Sequence, residues 1–179
     1  MPIYIFVSDS LPEMSKKNIV IVGGGYAGIG LIPLLEKFLP KTHRIVLIEE
    51  QEFMYVKLGA LRAAASEDVA EQVLVPYNRL SKSEETGIVV QASVTTIKAK
   101  SVIISRPHKL FGSEVEFEYL VVATGSTWHD PVELNTVSRK EAIELFAKRR
   151  AEVARAKDII IVGAGPVGIG ISPTHLVIS

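Results

Sequence analysis

The segment Gly23-Gly24-Gly25-Tyr26-Ala27-Gly28 constrains this chain more than any other feature. It follows a β-branched run, Asn18-Ile19-Val20-Ile21-Val22, and precedes an apolar stretch from Ile29 to Leu39. A continuous run of that kind suits a parallel strand buried on both faces. In such a motif the first glycine allows a tight turn off the strand. The second lets a pyrophosphate approach the backbone, and the third lets the helix pack closely on the strand. Free N–H groups and a partial positive charge at the helix start then favour phosphate. A second apolar run, Arg44-Ile45-Val46-Leu47-Ile48, ends at Glu49, 21 residues after Gly28. A carboxylate there can accept hydrogen bonds from a ribose diol and would repel a 2′-phosphate. Glu50 is the alternative for that role. Strand, glycine turn, helix, strand and acid form a βαβ unit and predict dinucleotide binding. Pro33 falls inside the helical stretch, slightly late for a first turn, so a kink or a shortened helix is expected there.

Further along, Phe53 to Glu71 reads as helical in its Ala/Leu/Arg part. Short pieces at Gly87–Gln91, Ser93–Ile97, Ser101–Ser105 and Val115–Phe117 predict an antiparallel flap. Tyr119-Leu120-Val121-Val122-Ala123 reads as another buried strand running into Thr124-Gly125-Ser126. Beyond a linker at Pro131, Ser138-Arg139-Lys140-Glu141 has the form of a capping box opening a helix. The basic residues of that helix, Lys148, Arg149, Arg150, Arg155 and Lys157, are interleaved with acids and read as a solvated face. Asp158-Ile159-Ile160-Ile161-Val162 reads as a buried strand entering a second motif, Gly163-Ala164-Gly165-Pro166-Val167-Gly168. The two motifs begin 140 residues apart.

Composition narrows the classes of function. Twenty basic and twenty acidic residues balance, so no global field draws the chain to nucleic acid. The absence of cysteine removes any disulfide, thiolate metal site or redox-active cysteine pair. His43, His108, His129 and His175 are scattered, and no metal site is expected. No apolar run reaches the roughly 18 residues of a membrane span, so no transmembrane segment is expected. Residues 1–15 read as a leader expected to be disordered, without the form of a signal peptide. The expected location is the cytoplasm, with a mitochondrial or membrane-peripheral location as the alternatives.

Two glycine motifs separated by a strand ending in Ala123-Thr124-Gly125 resemble the flavoproteins with two dinucleotide-binding domains. In these the first motif holds FAD and the second NADH or NADPH. Within that superfamily, Phe53-Met54-Tyr55-Val56-Lys57-Leu58-Gly59-Ala60-Leu61-Arg62-Ala63 resembles the apoptosis-inducing-factor-like group, in particular the ferroptosis-suppressor type of NAD(P)H:quinone oxidoreductase. The resemblance covers about Lys16 to Gly168. It implies an α/β fold with a Rossmann-type parallel sheet, incomplete at its C-terminus. Residues 16–130 would be the first segment of an FAD-binding domain with its flap. Residues 131–179 would be a linker helix and the start of an NAD(P)-binding domain.

The resemblance also implies roles for single residues. Gly23, Gly24, Gly25, Tyr26, Ala27 and Gly28 would hold the FAD pyrophosphate, and Glu49 the adenosine ribose. Arg62 would lie near the cofactor, Val94 would contact the adenine through its backbone, and Thr124 and Gly125 would pass beside the flavin nucleotide. Gly163, Gly165 and Gly168 would belong to the NAD(P)H site. Lys57 has no match and reads as a solvated lysine. The implied activity is hydride transfer from NAD(P)H to the flavin and onward to a quinone-like acceptor. The flavin carries that chemistry, so no catalytic side chain is named.

After Gly168 the pattern departs from the family. Gly170 stands where a glutamate is usual, and Pro173 would break the helix. The expectation is a truncated gene product with weak FAD affinity, low stability and little NAD(P)H oxidation. The alternatives are a non-catalytic FAD-binding fragment and a relative of the type II NADH dehydrogenases.

Overall fold

The computed structural model describes residues 16–77, 86–129, 132–162 and 165. The leader expected over residues 1–15 lies outside them. Four parallel strands form the central sheet, in the order β5 (Gly87–Gln91), β2 (His43–Glu49), β1 (Lys17–Val22) and β9 (Tyr119–Val122). The period of two along each strand sends its side chains into two separate cores. Ile21, Ile45 and Leu47 face α1 (Tyr26–Phe38) and pack around Ile32 and Tyr77. Val20, Val22, Val46 and Ile48 face the opposite way. There they meet the antiparallel sheet of β6 (Val94–Ile97), β7 (Ser101–His108) and β8 (Gly112–Glu116), through Val102, Ile104 and Val115. Asn18 ties the two sheets together: its Nδ2 donates to the Glu116 carbonyl at 2.7 Å.

A third core gathers the intervening segment. The short strands β3 (Phe53–Tyr55) and β4 (Leu74–Pro76) pair antiparallel. The short helices α2 (Ala60–Ala63) and α3 (Glu67–Ala70) lie between them. The long helix α4 (Arg139–Arg155) lays Ala142 and Phe146 on this group, with Phe53, Leu74 and Leu134 also fully or almost fully buried.

Several expectations change once the chain is folded. Gly87–Gln91 belongs to the parallel sheet and not to the flap, because pairing with β2 buries Val90 between the sheets. Tyr119–Val122 is not a buried strand: among the described residues it pairs with β1 alone, and Tyr119 and Val122 stay more than half exposed. The helix expected in the Ala/Leu/Arg part of residues 53–71 forms as α2, while Phe53–Tyr55 ahead of it is extended and pairs with β4. Pro33 does not shorten α1, which runs on to Phe38. Ser138 sits at the N-cap of α4 but makes no side-chain cap bond. The Glu141 carboxylate instead takes the hydroxyl of Thr136, so the capping box is not formed. Arg149 is not on a solvated face. It is 7% exposed, its guanidinium lies over the Phe146 ring, and its Nη2 donates to the Glu133 carbonyl at 2.8 Å. Residues 158–162 are not a buried strand, and Ile160 and Val162 are almost fully exposed. Among the described residues no strand pairs with them, and a parallel strand is stable only when neighbours complete its hydrogen bonds.

Candidate functional site

The carboxyl ends of β1, β2 and β9 open onto one crevice, the usual place for a ligand in an open parallel sheet. The turn after β1 forms its floor. Gly23 has φ +102°, a backbone conformation that residues other than glycine rarely adopt. A Cβ on Gly23 would also lie 2.4 Å from the Ala123 carbonyl oxygen, so the turn and the segment after β9 touch. Gly28 lies against the turn itself, where an added Cβ would sit 2.0 Å from the Gly23 carbonyl oxygen. Gly25 is different: nothing lies within 4 Å of where its Cβ would be. Gly25, Tyr26 and Ala27 are exposed, at the N-terminus of a 13-residue helix with no acid in its first turn. This cradle fits a pyrophosphate, since backbone N–H groups and the helix dipole meet it without a side chain in the way.

Glu49 ends β2 beside this turn. Its Oε2 accepts the Gly24 N–H at 2.6 Å and its Oε1 accepts the Gln51 N–H at 2.9 Å. Both bonds fix the carboxylate at the crevice wall. Glu50 also lines the crevice, but it is exposed and has no comparable anchor in the turn. Two cavities meet at Glu49, Glu50 and Thr124. One, of about 410 Å³, runs along Ala92, Ser93 and Val94 toward the flap. The other, of about 740 Å³, runs along Thr124, Gly125 and Ser126 to Glu133 and Thr136. Thr124 and Gly125 therefore line the second arm, and Val94 the first.

Arg62 is exposed on α2 and lines neither cavity. Gly163 and Gly168 lie outside the described residues. Gly165 is described, with open space around it.

The folded chain adds three residues to the site. Lys57 is not simply solvated: its Nζ donates to the Ser126 carbonyl at 3.0 Å and to Glu133 Oε2 at 3.3 Å. Burial pushes the Glu133 carboxyl up. The N–H groups of Trp128 and Leu134 and the charge of Lys57 outweigh that, and its pKa lies below the ordinary value. The pair thus holds the wall of the larger cavity in one place. Tyr77 is buried beneath the glycine turn and donates its hydroxyl to the Gly24 carbonyl at 2.9 Å. No local pattern in the sequence marks these three, because each acts on a partner 53 to 76 residues away.

A parallel sheet with a glycine turn, an acid after the second strand and a crevice at the strand ends defines a Rossmann-type dinucleotide-binding protein. The model of the pyridine nucleotide-disulphide oxidoreductase family matches residues 17–174, and the chain belongs to that family. FAD and a pyridine nucleotide are that family's cofactors. Apoptosis-inducing factor homolog A of Dictyostelium discoideum is 27% identical over 170 residues, covering 93% of this chain. Ferroptosis suppressor protein 1 of Xenopus tropicalis is 29% identical, covering 85% of it. The chain spans 38% of the length of each of these relatives. Among solved structures, the covalent putidaredoxin reductase–putidaredoxin complex superposes with a TM-score of 0.60 at 21% identity, covering 89% of this chain and 40% of the matched chain. That likeness shows the shared fold.

Proposed function

We propose that residues 16–130 form the FAD-binding segment of an NAD(P)H oxidoreductase that passes electrons to a quinone-like acceptor. Residues 131–179 are then the linker helix and the opening of an NAD(P)-binding unit. The observation that carries this reading is the placement of Glu49 beside an open glycine turn, at the junction of two cavities. Gly25, Tyr26 and Ala27 present the helix N-terminus to the FAD pyrophosphate. Glu49 takes the adenosine ribose, and the smaller arm along Val94 takes the adenine. Thr124 and Gly125 line the larger arm toward the flavin side. When bound, FAD accepts a hydride and releases electrons to the acceptor. The quinone-like acceptor rests on the resemblance to the ferroptosis-suppressor group. These residues supply no redox disulfide, since the chain has no cysteine.

The test is a titration of the purified chain with FAD, read by quenching of flavin fluorescence, followed by NADH. Glu49→Ala is expected to weaken FAD binding about tenfold or more, the loss of charge-assisted hydrogen bonds. A chain that takes up no FAD, or a variant that binds it as well as the parent, would overturn the reading. A second reading, a non-catalytic FAD-binding element, is favoured by the exposure of residues 159–162. Bound flavin that NADH leaves oxidised would select it.

A further inference from the structure

Gly24 is held from two sides. Its N–H donates to the Glu49 carboxylate at 2.6 Å, and its carbonyl accepts the Tyr77 hydroxyl at 2.9 Å. Tyr77 is 6% exposed, and its ring packs among Ile21, Ile32, Ile45 and Leu47 on the α1 side of the sheet. The ring fits so closely beneath the turn that a Cβ on Gly24 would lie 2.3 Å from its hydroxyl oxygen. This contact explains why Gly24 has no side chain, although its φ is not positive. The hydroxyl is the one polar group of Tyr77's side chain, and it is spent on the carbonyl of the turn.

The direction of that carbonyl sets the next N–H. In a planar trans peptide the C=O and the following N–H point in opposite directions. A Gly24 carbonyl drawn down to Tyr77 therefore turns the Gly25 N–H upward, away from the α1-side core. Gly25 is exposed with open space around it, whereas Gly24 is buried. We propose that Tyr77 is a positioning residue of the phosphate-binding turn, its hydroxyl orienting the Gly24–Gly25 peptide so that the Gly25 N–H faces the pyrophosphate of a bound dinucleotide. This rests on the FAD reading above and adds a residue that lies 49 positions beyond the motif. Burial, and after it the charge of Glu49, push the Tyr77 phenol far above its ordinary pKa. The hydroxyl thus stays a donor throughout the working pH range.

Tyr77→Phe removes the oxygen and keeps the ring in place. ADP carries the pyrophosphate and adenosine does not, so the two probes separate orientation of the turn from general damage to the site. Affinities for both, measured by NMR titration on the parent chain and the variant, give the test. The variant is expected to bind ADP about tenfold more weakly, the effect of losing one hydrogen-bonded anchor, with adenosine changed by less than about twofold. The backbone amide signal of Gly25 should shift on adding ADP to the parent and shift less in the variant. An unchanged ADP affinity, or an equal loss for both probes, would overturn the role of Tyr77 while leaving the FAD reading intact. A parent chain that binds neither ADP nor FAD would remove the dinucleotide reading, and this role with it.

Discussion

Gly28→Val is expected to destabilise the chain by about 3 kcal/mol, the upper range for forcing a side chain into a closed contact, and to abolish FAD binding. The atom in the way is backbone: the Gly23 carbonyl oxygen, 2.0 Å from where the Cβ must go. It cannot rotate aside without opening the turn that cradles the phosphates. Ile21 Cγ2, at 3.4 Å, closes the other direction. Two residues on, Gly30→Ala should have the opposite sign. Gly30 lies within α1 with nothing inside 4 Å of its Cβ position, so alanine there should stabilise by about 0.5–1 kcal/mol through helix propensity. Thermal denaturation of both variants checks the pair. A Gly28→Val chain that melts with the parent would mean that α1 does not pack on the turn as described.

Phe146→Ala should lower stability by about 3–5 kcal/mol, as expected for truncating a fully buried phenylalanine. The ring is 0% exposed and sits between α4 and the 53–74 segment, 6.2 Å from the Tyr55 ring between centroids. Tyr55 in turn donates its hydroxyl to the Val132 carbonyl at 2.6 Å, and Arg149 holds the Glu133 carbonyl. Loss of Phe146 therefore loosens the stretch from Val132 to Glu133, which borders the larger cavity. Urea unfolding followed by tryptophan fluorescence measures the effect, Trp128 being the sole tryptophan. A loss below about 1 kcal/mol would fit a surface site and not a packed core, and would show that α4 does not dock on this segment.

The first βαβ unit was readable from the chain alone because its signals are local and mutually consistent. An apolar run such as Ile19-Val20-Ile21-Val22 must be buried, three glycines at fixed spacing have one common use, and Glu49 follows its strand directly. In the structure the same residues pair in register, Ile19 with Ile45 through Val22 with Ile48, and Glu49 reaches the turn. The resemblance carried by residues 53–63 led to the same family that the whole-chain comparison gives.

Where the fold departs from the local pattern, a neighbour in space decides the outcome. Gly87–Gln91 and Tyr119–Val122 are both short β-branched runs. Among the described residues both are terminal strands of the four-stranded sheet, yet the first carries Val90 into the core beneath the flap, whereas Tyr119 and Val122 of the second stay more than half exposed. The five apolar-rich residues 158–162 read as a buried strand by composition, yet burial needs a sheet to join. Arg149 looks like its basic neighbours in sequence, and it is buried because its turn of α4 faces Phe146 and the Glu133 carbonyl. Lys57, Glu133 and Tyr77 likewise became part of the site only through contacts between distant segments. Backbone conformation and local side-chain period suffice to specify the strand–turn–helix–strand unit and its acid, so these follow from the order of residues. The tertiary structure alone decided which polar side chains anchor the turn and the cavity wall, since a hydrogen bond between residues 53 positions apart exists only after the sheet has brought them together.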